Sequence, residues 1–325
     1  MEILFDEIPS LDLADFTSGN PEKKAEFVKK LGEAYQNIGF VAIKNHGLSQ
    51  DLQDRLYHSI KSFFALPDEV KSQYEKPEIG FQRGYTGKGK EHAKGRNTGD
   101  LKEFYHVGQE LDLIPDTDPI KSEYPENLWP KELPQFKTDA IEAYQTLEKA
   151  GKQMLRAIAL NLELPEDYFE DKVAYGNSIL RQIHYFPIEN PDAVPADAVR
   201  AAEHGDINLI TLLMGASADG LQVLRKDGKW IPITALPDQL VVNVGDMLER
   251  LTNKKLKSTI HRVVNPPRDL MHTSRYSIPF FMHPRSEMDL TCLESCIDEP
   301  NPKQFTDATA GEFLEERLRE LGLKK

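Results

Sequence analysis

Cysteine is nearly absent from this sequence of 325 residues, which contains only Cys292 and Cys296, four positions apart near the C-terminus. A zinc site built on this pair would need further ligands, and the nearest histidine, His283, lies in another segment. We therefore expect two reduced thiols, as in a cytoplasmic protein.

Long apolar runs are also missing. No apolar stretch approaches the ~18–20 residues that a membrane-spanning helix needs. The first residues, MEILFDEIPSLDL, contain no basic start followed by an apolar run, so they do not resemble a signal peptide. These two absences predict a cytoplasmic protein without a membrane partner.

An excess of positive charge is the third missing feature, since the net charge is −13 at pH 7. A protein this acidic is not expected to bind nucleic-acid phosphates through its overall field. The glycine-rich residues 76–100 lack the GxxxxGKS/T and GxGxxG patterns of nucleotide sites. Their weak periodicity instead predicts a mobile flap beside a pocket, with Arg83, Tyr85 and Lys88 as the polar groups it offers. The lysines and arginines of this flap favour a small-molecule substrate that is anionic.

The patterns that are present divide the chain into a helical half and a strand-rich half. Apolar residues at helical spacing predict helices near residues 21–39, 49–64, 136–162 and 310–321. From residue 178 onwards apolar residues alternate in short segments, separated by turn signals such as Asp227-Gly228. This order predicts an α+β fold whose strands form a sandwich or barrel, and the jelly roll is one closed solution.

Two histidines and an aspartate in the strand-rich half are the candidate metal ligands. If His204 and Asp206 lie on a strand, their side chains point to the same face and can bind one metal ion. His261, in the alternating segment STIHRV, would supply a third ligand from another strand. Two imidazoles and one carboxylate with open positions are the ligand set of non-haem Fe(II) oxygenases.

Arg275 and Ser277 follow His261 in another predicted strand, two residues apart and hence on one face. A guanidinium binds a carboxylate in bidentate fashion, and a serine hydroxyl can add a third hydrogen bond. This pair is therefore the candidate site for an acid-bearing co-substrate.

With these residues in place, the chain resembles the isopenicillin N synthase-like family of Fe(II)/2-oxoglutarate-dependent dioxygenases. The C-terminal half carries the resemblance over about residues 178–284, in LRQIHYFP, HGDINLITLL, DGLQV, GKWIPI, LVVNVGDMLERLTN, LKSTIHRVV and RYSIPFF. The N-terminal half is similar to the helical region of the same family in IPSLDL, GFVAIKNHG and FFALPDEVK.

The resemblance implies a distorted jelly roll, or double-stranded β-helix, flanked by helices. We expect one compact unit of four segments: a helical N-terminal region (1–110), a connection with a long helix (111–177), the jelly-roll core (178–285) and a C-terminal tail with a helix (286–325). The sequence leaves the oligomeric state open.

The resemblance also implies the cofactors: Fe(II), 2-oxoglutarate as co-substrate, and O2. His204, Asp206 and His261 match the metal ligands, and Arg275 and Ser277 match the pair that holds the distal carboxylate of 2-oxoglutarate. Tyr185 matches the tyrosine that assists this pair, although an alignment shifted by one residue would place Phe186 there. No catalytic side chain beyond the metal centre is implied.

The expected reaction is hydroxylation, desaturation or ring closure of a small molecule, with release of succinate and CO2. Phe281 falls on the strand face of Arg275, so it is a candidate substrate contact, together with Arg181 and Ile183 beside Tyr185. Core packing is the alternative role for Phe281.

Three alternative functions are compatible with the same residues. An oxidase of the isopenicillin N synthase type would use Fe(II) and O2 without 2-oxoglutarate, and its arginine–serine pair would hold the substrate. A zinc hydrolase could use a His-Asp-His site with an activated water, although no general base lies at a telling spacing. A non-enzymatic binding protein could retain the fold, but it would have no need for all five residues.

Overall fold

The computed structural model describes residues 4–90, 101–190, 199–215, 220–234 and 236–320. Every residue assigned above to a metal, co-substrate or substrate site lies within these ranges. The last ten residues of the predicted flap, 91–100, lie outside them, as does Leu321 at the end of the last predicted helix.

The helices have bounds close to those that the apolar periodicity predicts. Asn20 caps the second helix through its side chain and Pro21 opens that helix, while the Ser49 hydroxyl caps the third. The helices of the described residues are α1 (Leu13–Thr17), α2 (Pro21–Asn37), α3 (Gln50–Phe64), α4 (Asp68–Lys71), α5 (Pro134–Asn161), α6 (Glu170–Val173), α7 (Asp246–Leu251) and α8 (Ala310–Glu320). None of them has the length and apolar character needed to cross a membrane.

The strands of the described residues form two sheets. In chain order they are β1 (Ser10–Asp12), β2 (Phe40–Lys44), β3 (Gly84–Thr86), β4 (Lys102–Gly108), β5 (Ile179–Tyr185), β6 (Ala201–His204), β7 (Ile210–Met214), β8 (Leu221–Leu224), β9 (Trp230–Pro232), β10 (Leu240–Val244), β11 (His261–Val263) and β12 (Arg275–Met282). The larger sheet has the order β1-β2-β10-β7-β12-β5-β4-β3, and the smaller has the order β6-β11-β8-β9. Every pairing is antiparallel except that of β1 with β2.

Two apolar cores hold these layers together. Side chains of both sheets, among them Phe104 and Val241 from the larger and Val223 and Val263 from the smaller, form one buried cluster between the sheets. The opposite face of the larger sheet packs on the helices, and α5 contributes a buried stripe to a second cluster. Two facing sheets with helices on one outer side are the predicted α+β jelly roll.

The predicted flap is only partly right over its described part, residues 76–90. Gly80, Phe81 and Gln82 do line a cavity, as predicted, but the next residues belong to the sheet. Residues 84–86 form β3, which pairs with β4 at the edge of the larger sheet. Arg83 is 0% exposed and Tyr85 is 5% exposed, and the Tyr85 hydroxyl donates a hydrogen bond to Glu103. These two side chains therefore face the interior, whereas Lys88 is exposed and its Nζ lies 5.4 Å from the centre of the Phe186 ring.

Candidate active site

His204, Asp206 and His261 meet at one end of the smaller sheet. The expectation that His204 and Asp206 share a strand is wrong, because β6 ends at His204 and Asp206 lies in the turn towards β7. The pairing of β6 with β11 brings the two histidines together instead, because His204 on β6 is the direct partner of His261 on β11. The turn then brings the Asp206 carboxylate against both rings.

One ligand atom from each of these residues lies within 4.8 Å of the others. Asp206 Oδ1 is 4.0 Å from His204 Nε2 and 3.7 Å from His261 Nε2, and the two ring centres are 4.4 Å apart. Three ligand atoms at these separations can bind one transition-metal ion and leave its remaining positions open.

Neighbouring groups orient all three ligands. His204 Nδ1 bonds to the Ala202 carbonyl at 2.6 Å and His261 Nδ1 to the Thr259 carbonyl at 3.1 Å. Because a carbonyl only accepts, each Nδ1 carries the proton and each Nε2 has its lone pair for a metal. Loss of hydration in the cavity also lowers the pKa of His204 to about 4, so this ring is neutral at pH 7.

The Asp206 carboxylate is fixed by its other oxygen. Oδ2 accepts hydrogen bonds from the Thr211 hydroxyl at 2.7 Å and from the Asn243 amide at 2.8 Å. Burial raises the pKa of Asp206, but the two histidines and these two bonds outweigh burial and lower it below its usual value. Asp206 therefore presents an ionised Oδ1 to the metal position.

Arg275 and Ser277 lie on β12, opposite Tyr185 and Ile183 of β5. Arg275 is 5% exposed, and its guanidinium carbon is 4.9 Å from the centre of the Tyr185 ring. Its Nε and Nη1 are buried and have no hydrogen-bond partner among the described residues. A buried cation with unsatisfied donors is costly, and a carboxylate would complete it.

The register also decides which aromatic residue stands beside this arginine. Tyr185 is the direct partner of Arg275 and is buried between the sheets, whereas Phe186 lies beyond the end of β5 and packs on His184. The structure thus places Tyr185, rather than Phe186, next to the arginine.

A cavity of about 470 Å³ opens above the metal ligands. It is lined by Arg181 and Phe281 among the predicted substrate contacts, whereas Ile183 belongs to the core between the sheets. The guanidinium carbon of Arg181 lies 4.2 Å from the ring centre of Phe104 and 5.3 Å from that of Phe281. Arg181 Nε also donates to His106 Nε2 at 2.6 Å, so three aromatic side chains fix its position.

Several cavity residues were not predicted from the sequence. Asn177 and His283 line the wall beside Phe281, and α8 contributes Leu314, Arg317 and Leu318. Asn177 and His283 carry no signal in a single sequence, because only the meeting of β5 and β12 brings them together. The amphipathic pattern of α8 predicted the helix but not the surface that it covers.

Comparison with known proteins identifies the family to which this chain belongs. Residues 8–132 match the family model of the N-terminal region of a non-haem dioxygenase in morphine synthesis, and residues 176–284 match that of the 2OG-Fe(II) oxygenase superfamily. A crystal structure of a 2OG-Fe(II) oxygenase family protein from Caulobacter crescentus is 42% identical, with a TM-score of 0.86 over 96% of this chain and 98% of that one. This chain is a 2-oxoglutarate- and Fe(II)-dependent oxygenase of the isopenicillin N synthase-like family.

Two further relatives of the oxygenase come from fungi. The 2-oxoglutarate-Fe(II) type oxidoreductase ppzD of Metarhizium rileyi is 30% identical, over 96% of this chain and 90% of its own length. A Neurospora crassa protein solved with 2-oxoglutarate and thymine is 30% identical and has a TM-score of 0.84, with 96% of each chain covered. The predicted cofactors, Fe(II), 2-oxoglutarate and O2, are those of this family, and nothing in these comparisons favours the oxidase that dispenses with 2-oxoglutarate.

Proposed function

We propose that His204, Asp206 and His261 hold the Fe(II) of this oxygenase. Their Nε2 and Oδ1 atoms converge at the floor of the cavity, and their other polar atoms are engaged elsewhere. This convergence at a cavity of substrate size is the observation that carries the proposal.

Arg275, Ser277 and Tyr185 hold 2-oxoglutarate in this proposal. Two guanidinium nitrogens of Arg275 have no partner among the described side chains, which supports a carboxylate beside them. When bound, Fe(II) and 2-oxoglutarate supply the oxidising chemistry, in which O2 is consumed as 2-oxoglutarate becomes succinate and CO2. The protein positions the substrate and excludes water from it.

The substrate lies against Arg181 and Phe281 in the cavity above the metal ligands. Lys102, Arg181 and Arg317 line this cavity, but so do the acidic residues Glu203, Asp206, Asp246 and Glu320. The charge of the lining therefore does not favour an anionic substrate, which stays a prediction from the sequence. Ile183 acts indirectly in this arrangement, because it packs behind the wall instead of lining it. The Neurospora relative, solved with thymine, indicates that a cavity of this fold can hold a single ring.

The oxygenase is proposed to act in the cytoplasm. Cys292 and Cys296 are both free, as the sequence predicted, and both are buried. Free thiols are typical of a reducing compartment. Localisation of the tagged full-length chain would test this proposal.

The test of the proposed function is a substrate screen with Fe(II), 2-oxoglutarate and air. Small acids, amino acids, peptides and single-ring heterocycles are each incubated with the protein, and succinate is measured. We expect at least one class to raise succinate formation above the substrate-free rate. Succinate formation that is independent of Fe(II), or absence of any 2-oxoglutarate binding, would contradict the proposal.

A further inference from the structure

Arg200 is a buried arginine that none of the roles proposed above uses. It directly precedes β6 and is 3% exposed. Its Nη2 donates a hydrogen bond to the Thr273 carbonyl at 2.7 Å. Thr273 lies two residues before Arg275, so the side chain of Arg200 reaches from the start of β6 in the smaller sheet to the start of β12 in the larger. Arg200 therefore lies at the end of β12 that carries the co-substrate residues.

The positive charge of Arg200 lies near that of Arg275. Burial lowers the pKa of Arg200, and the charge of Arg275 lowers it further, whereas Tyr185 acts in the opposite direction. Because Coulomb interactions weaken with distance, Arg275 and Tyr185 are among the ionisable neighbours of Arg200. An arginine keeps its proton in proteins, so both guanidinium groups are cationic at pH 7.

Neither of these two cations has a counter-ion among the described residues. Arg200 bonds to a backbone carbonyl, and no carboxylate in the described ranges forms an ion pair with Arg200 or Arg275. Two buried like charges repel each other, and a buried cation without an anion is costly. Since buried charges are normally paired, two unpaired cations side by side indicate a bound anion.

The distal carboxylate of 2-oxoglutarate is an anion that suits this position. Arg275 pairs with Tyr185 across the strands, and its guanidinium carbon lies 4.9 Å from the centre of the tyrosine ring. Arg200 thus adds a second cation beside residues proposed to hold that carboxylate. Coulomb attraction acts over several ångströms in a buried site, so Arg200 strengthens binding without having to touch the carboxylate.

We propose that Arg200 is a further specificity-determining residue of the co-substrate site, which selects oxo acids that carry a second carboxylate. This inference rests on the proposed function, and it adds a recognition residue to the same site. The oxo-acid end of the co-substrate lies at the metal position, and Arg200 contributes positive charge at the opposite end.

A structural role is the alternative for Arg200, because its bond to the Thr273 carbonyl also joins the start of β6 to the segment before β12. If the role were only structural, replacing Arg200 would weaken the binding of every oxo acid to the same extent. Recognition by charge weakens only the oxo acids that have a second carboxylate. The ratio of two affinities therefore separates the two roles.

The experiment compares 2-oxoglutarate with 2-oxobutyrate on the full chain, loaded anaerobically with Fe(II) and kept free of substrate. The two acids share the oxo-acid group, but 2-oxobutyrate lacks the distal carboxylate. Calorimetric titration gives the Kd of each. For Arg200→Gln we expect 2-oxoglutarate to bind about tenfold more weakly, as the loss of a unit charge several ångströms away implies, and 2-oxobutyrate to bind as in the wild type.

Three further variants assign the effect to the charge of Arg200. Arg200→Lys keeps the charge and a donor for Thr273, so it should retain most of the affinity for 2-oxoglutarate. Arg156→Gln removes a positive charge on α5, where Arg156 pairs with Glu170, and should leave both constants unchanged. Melting temperatures show whether each variant is folded, and Arg200→Met replaces Arg200→Gln if the latter is not.

Equal 2-oxoglutarate affinity in the wild type and Arg200→Gln would overturn the inference. So would equal weakening of both oxo acids, or an Arg200→Lys variant that binds as weakly as Arg200→Gln. Arg275→Gln, titrated in the same way, separates this failure from that of the proposed function. If Arg275→Gln weakens 2-oxoglutarate binding while Arg200→Gln does not, only the role of Arg200 is wrong. If neither variant weakens it, the proposed co-substrate site is wrong as well.

Discussion

At the scale of single residues, the site depends on which atom of each ligand is already engaged. Asp206 Oδ2 is occupied by Thr211 and Asn243, and the Nδ1 atoms of His204 and His261 are occupied by backbone carbonyls. The atoms without such a partner, Oδ1 of Asp206 and Nε2 of the two histidines, are the ones that converge on the metal position. Groups of this kind, which touch a ligand rather than the metal, commonly alter metal affinity by 10- to 100-fold.

Thr211→Val therefore tests the orientation of Asp206. The substitution keeps the side-chain shape but removes the hydroxyl that donates to Oδ2 at 2.7 Å. We expect the affinity for Fe(II), or for Mn(II) as a stable substitute, to fall about 10- to 100-fold. Anaerobic calorimetry measures this constant. Thr146→Val, which removes a hydroxyl on the exposed side of α5, is the control, and equal loss in both variants would contradict the account.

Arg275→Lys tests the co-substrate site. Lysine keeps the positive charge but lacks the planar fork that binds a carboxylate through two nitrogens. Because a hydrogen bond to a charged group is worth about 1.5–3 kcal/mol, we expect 2-oxoglutarate to bind about 10- to 100-fold more weakly. Titration of the Fe(II) protein without substrate measures this. An unchanged constant would place 2-oxoglutarate elsewhere.

At the scale of elements, α8 forms one side of the substrate cavity. Leu314 and Leu318 line the cavity, whereas Arg319 lies on the exposed side of the helix. Closed active sites exclude water and protect reactive intermediates. The double variant Leu314→Ala/Leu318→Ala should raise the KM of the substrate several-fold and increase succinate formed per product. Arg319→Ala serves as control, and tight coupling in the double variant would show that α8 is not a cover.

A buried carboxylate joins three other elements of the fold. Glu103 on β4 is 1% exposed and bonds to Lys71 of α4 at 2.9 Å, to Tyr85 of β3 at 2.5 Å and to His184 of β5 at 2.7 Å. His184 Nε2 continues this network to the hydroxyl of Ser274, directly before β12, at 3.0 Å. The network thus links the N-terminal region to the strand pair that carries the co-substrate residues.

Glu103→Gln should destabilise the protein by about 1.5–3 kcal/mol at pH 7, because it removes the ionised acceptor Glu103 from the buried Lys71 and leaves that ammonium with Asp68, 3.0 Å away, as its ionised partner. Burial raises the pKa of Glu103, but its bonds to His184, Tyr85 and Lys71 outweigh burial and lower it below its usual 4.5. A carboxyl group whose pKa is lower in the folded than in the unfolded protein stabilises the folded state at pH values above the unfolded-state pKa. This stabilisation is lost as the pH falls through the folded-state pKa. The difference from wild type, measured by urea unfolding, should therefore shrink below about pH 4.5. A difference that is constant from pH 7 to pH 3.5 would contradict this.

At the scale of the whole molecule, ligand binding should appear as thermal stability. A ligand present at about 100 times its Kd stabilises the folded state by about 2.7 kcal/mol. With an unfolding entropy of about 2.1 cal/mol/K per residue, a chain of 325 residues should gain about 4 °C in melting temperature. Calorimetric scans with and without Mn(II) and 2-oxoglutarate measure this. No shift in the wild type, or an equal shift in Asp206→Ala, would contradict the site.

Much of the fold and of the metal site could be predicted from the sequence. The long apolar period of α5 and the alternation along β12 each carry a local signal, and both elements lie where it predicts. The short strands β3 and β6 give no such signal, because three or four residues do not show a period. Asp206 was predicted as a metal ligand because it was expected to share a strand, and hence a strand face, with His204. This reason was wrong, because a turn brings Asp206 to the site. The wall of Asn177 and His283 and the network of Glu103 depend on distant pairings, which a single sequence does not contain.

The most direct test of the central claim is succinate formation from 2-oxoglutarate by the wild type and by Asp206→Ala, with Fe(II) and O2 supplied and with each omitted. The account predicts that succinate forms only when both are present and that Asp206→Ala forms none above the protein-free background. Succinate formation by Asp206→Ala at the wild-type rate, or by the wild type without O2, would contradict it.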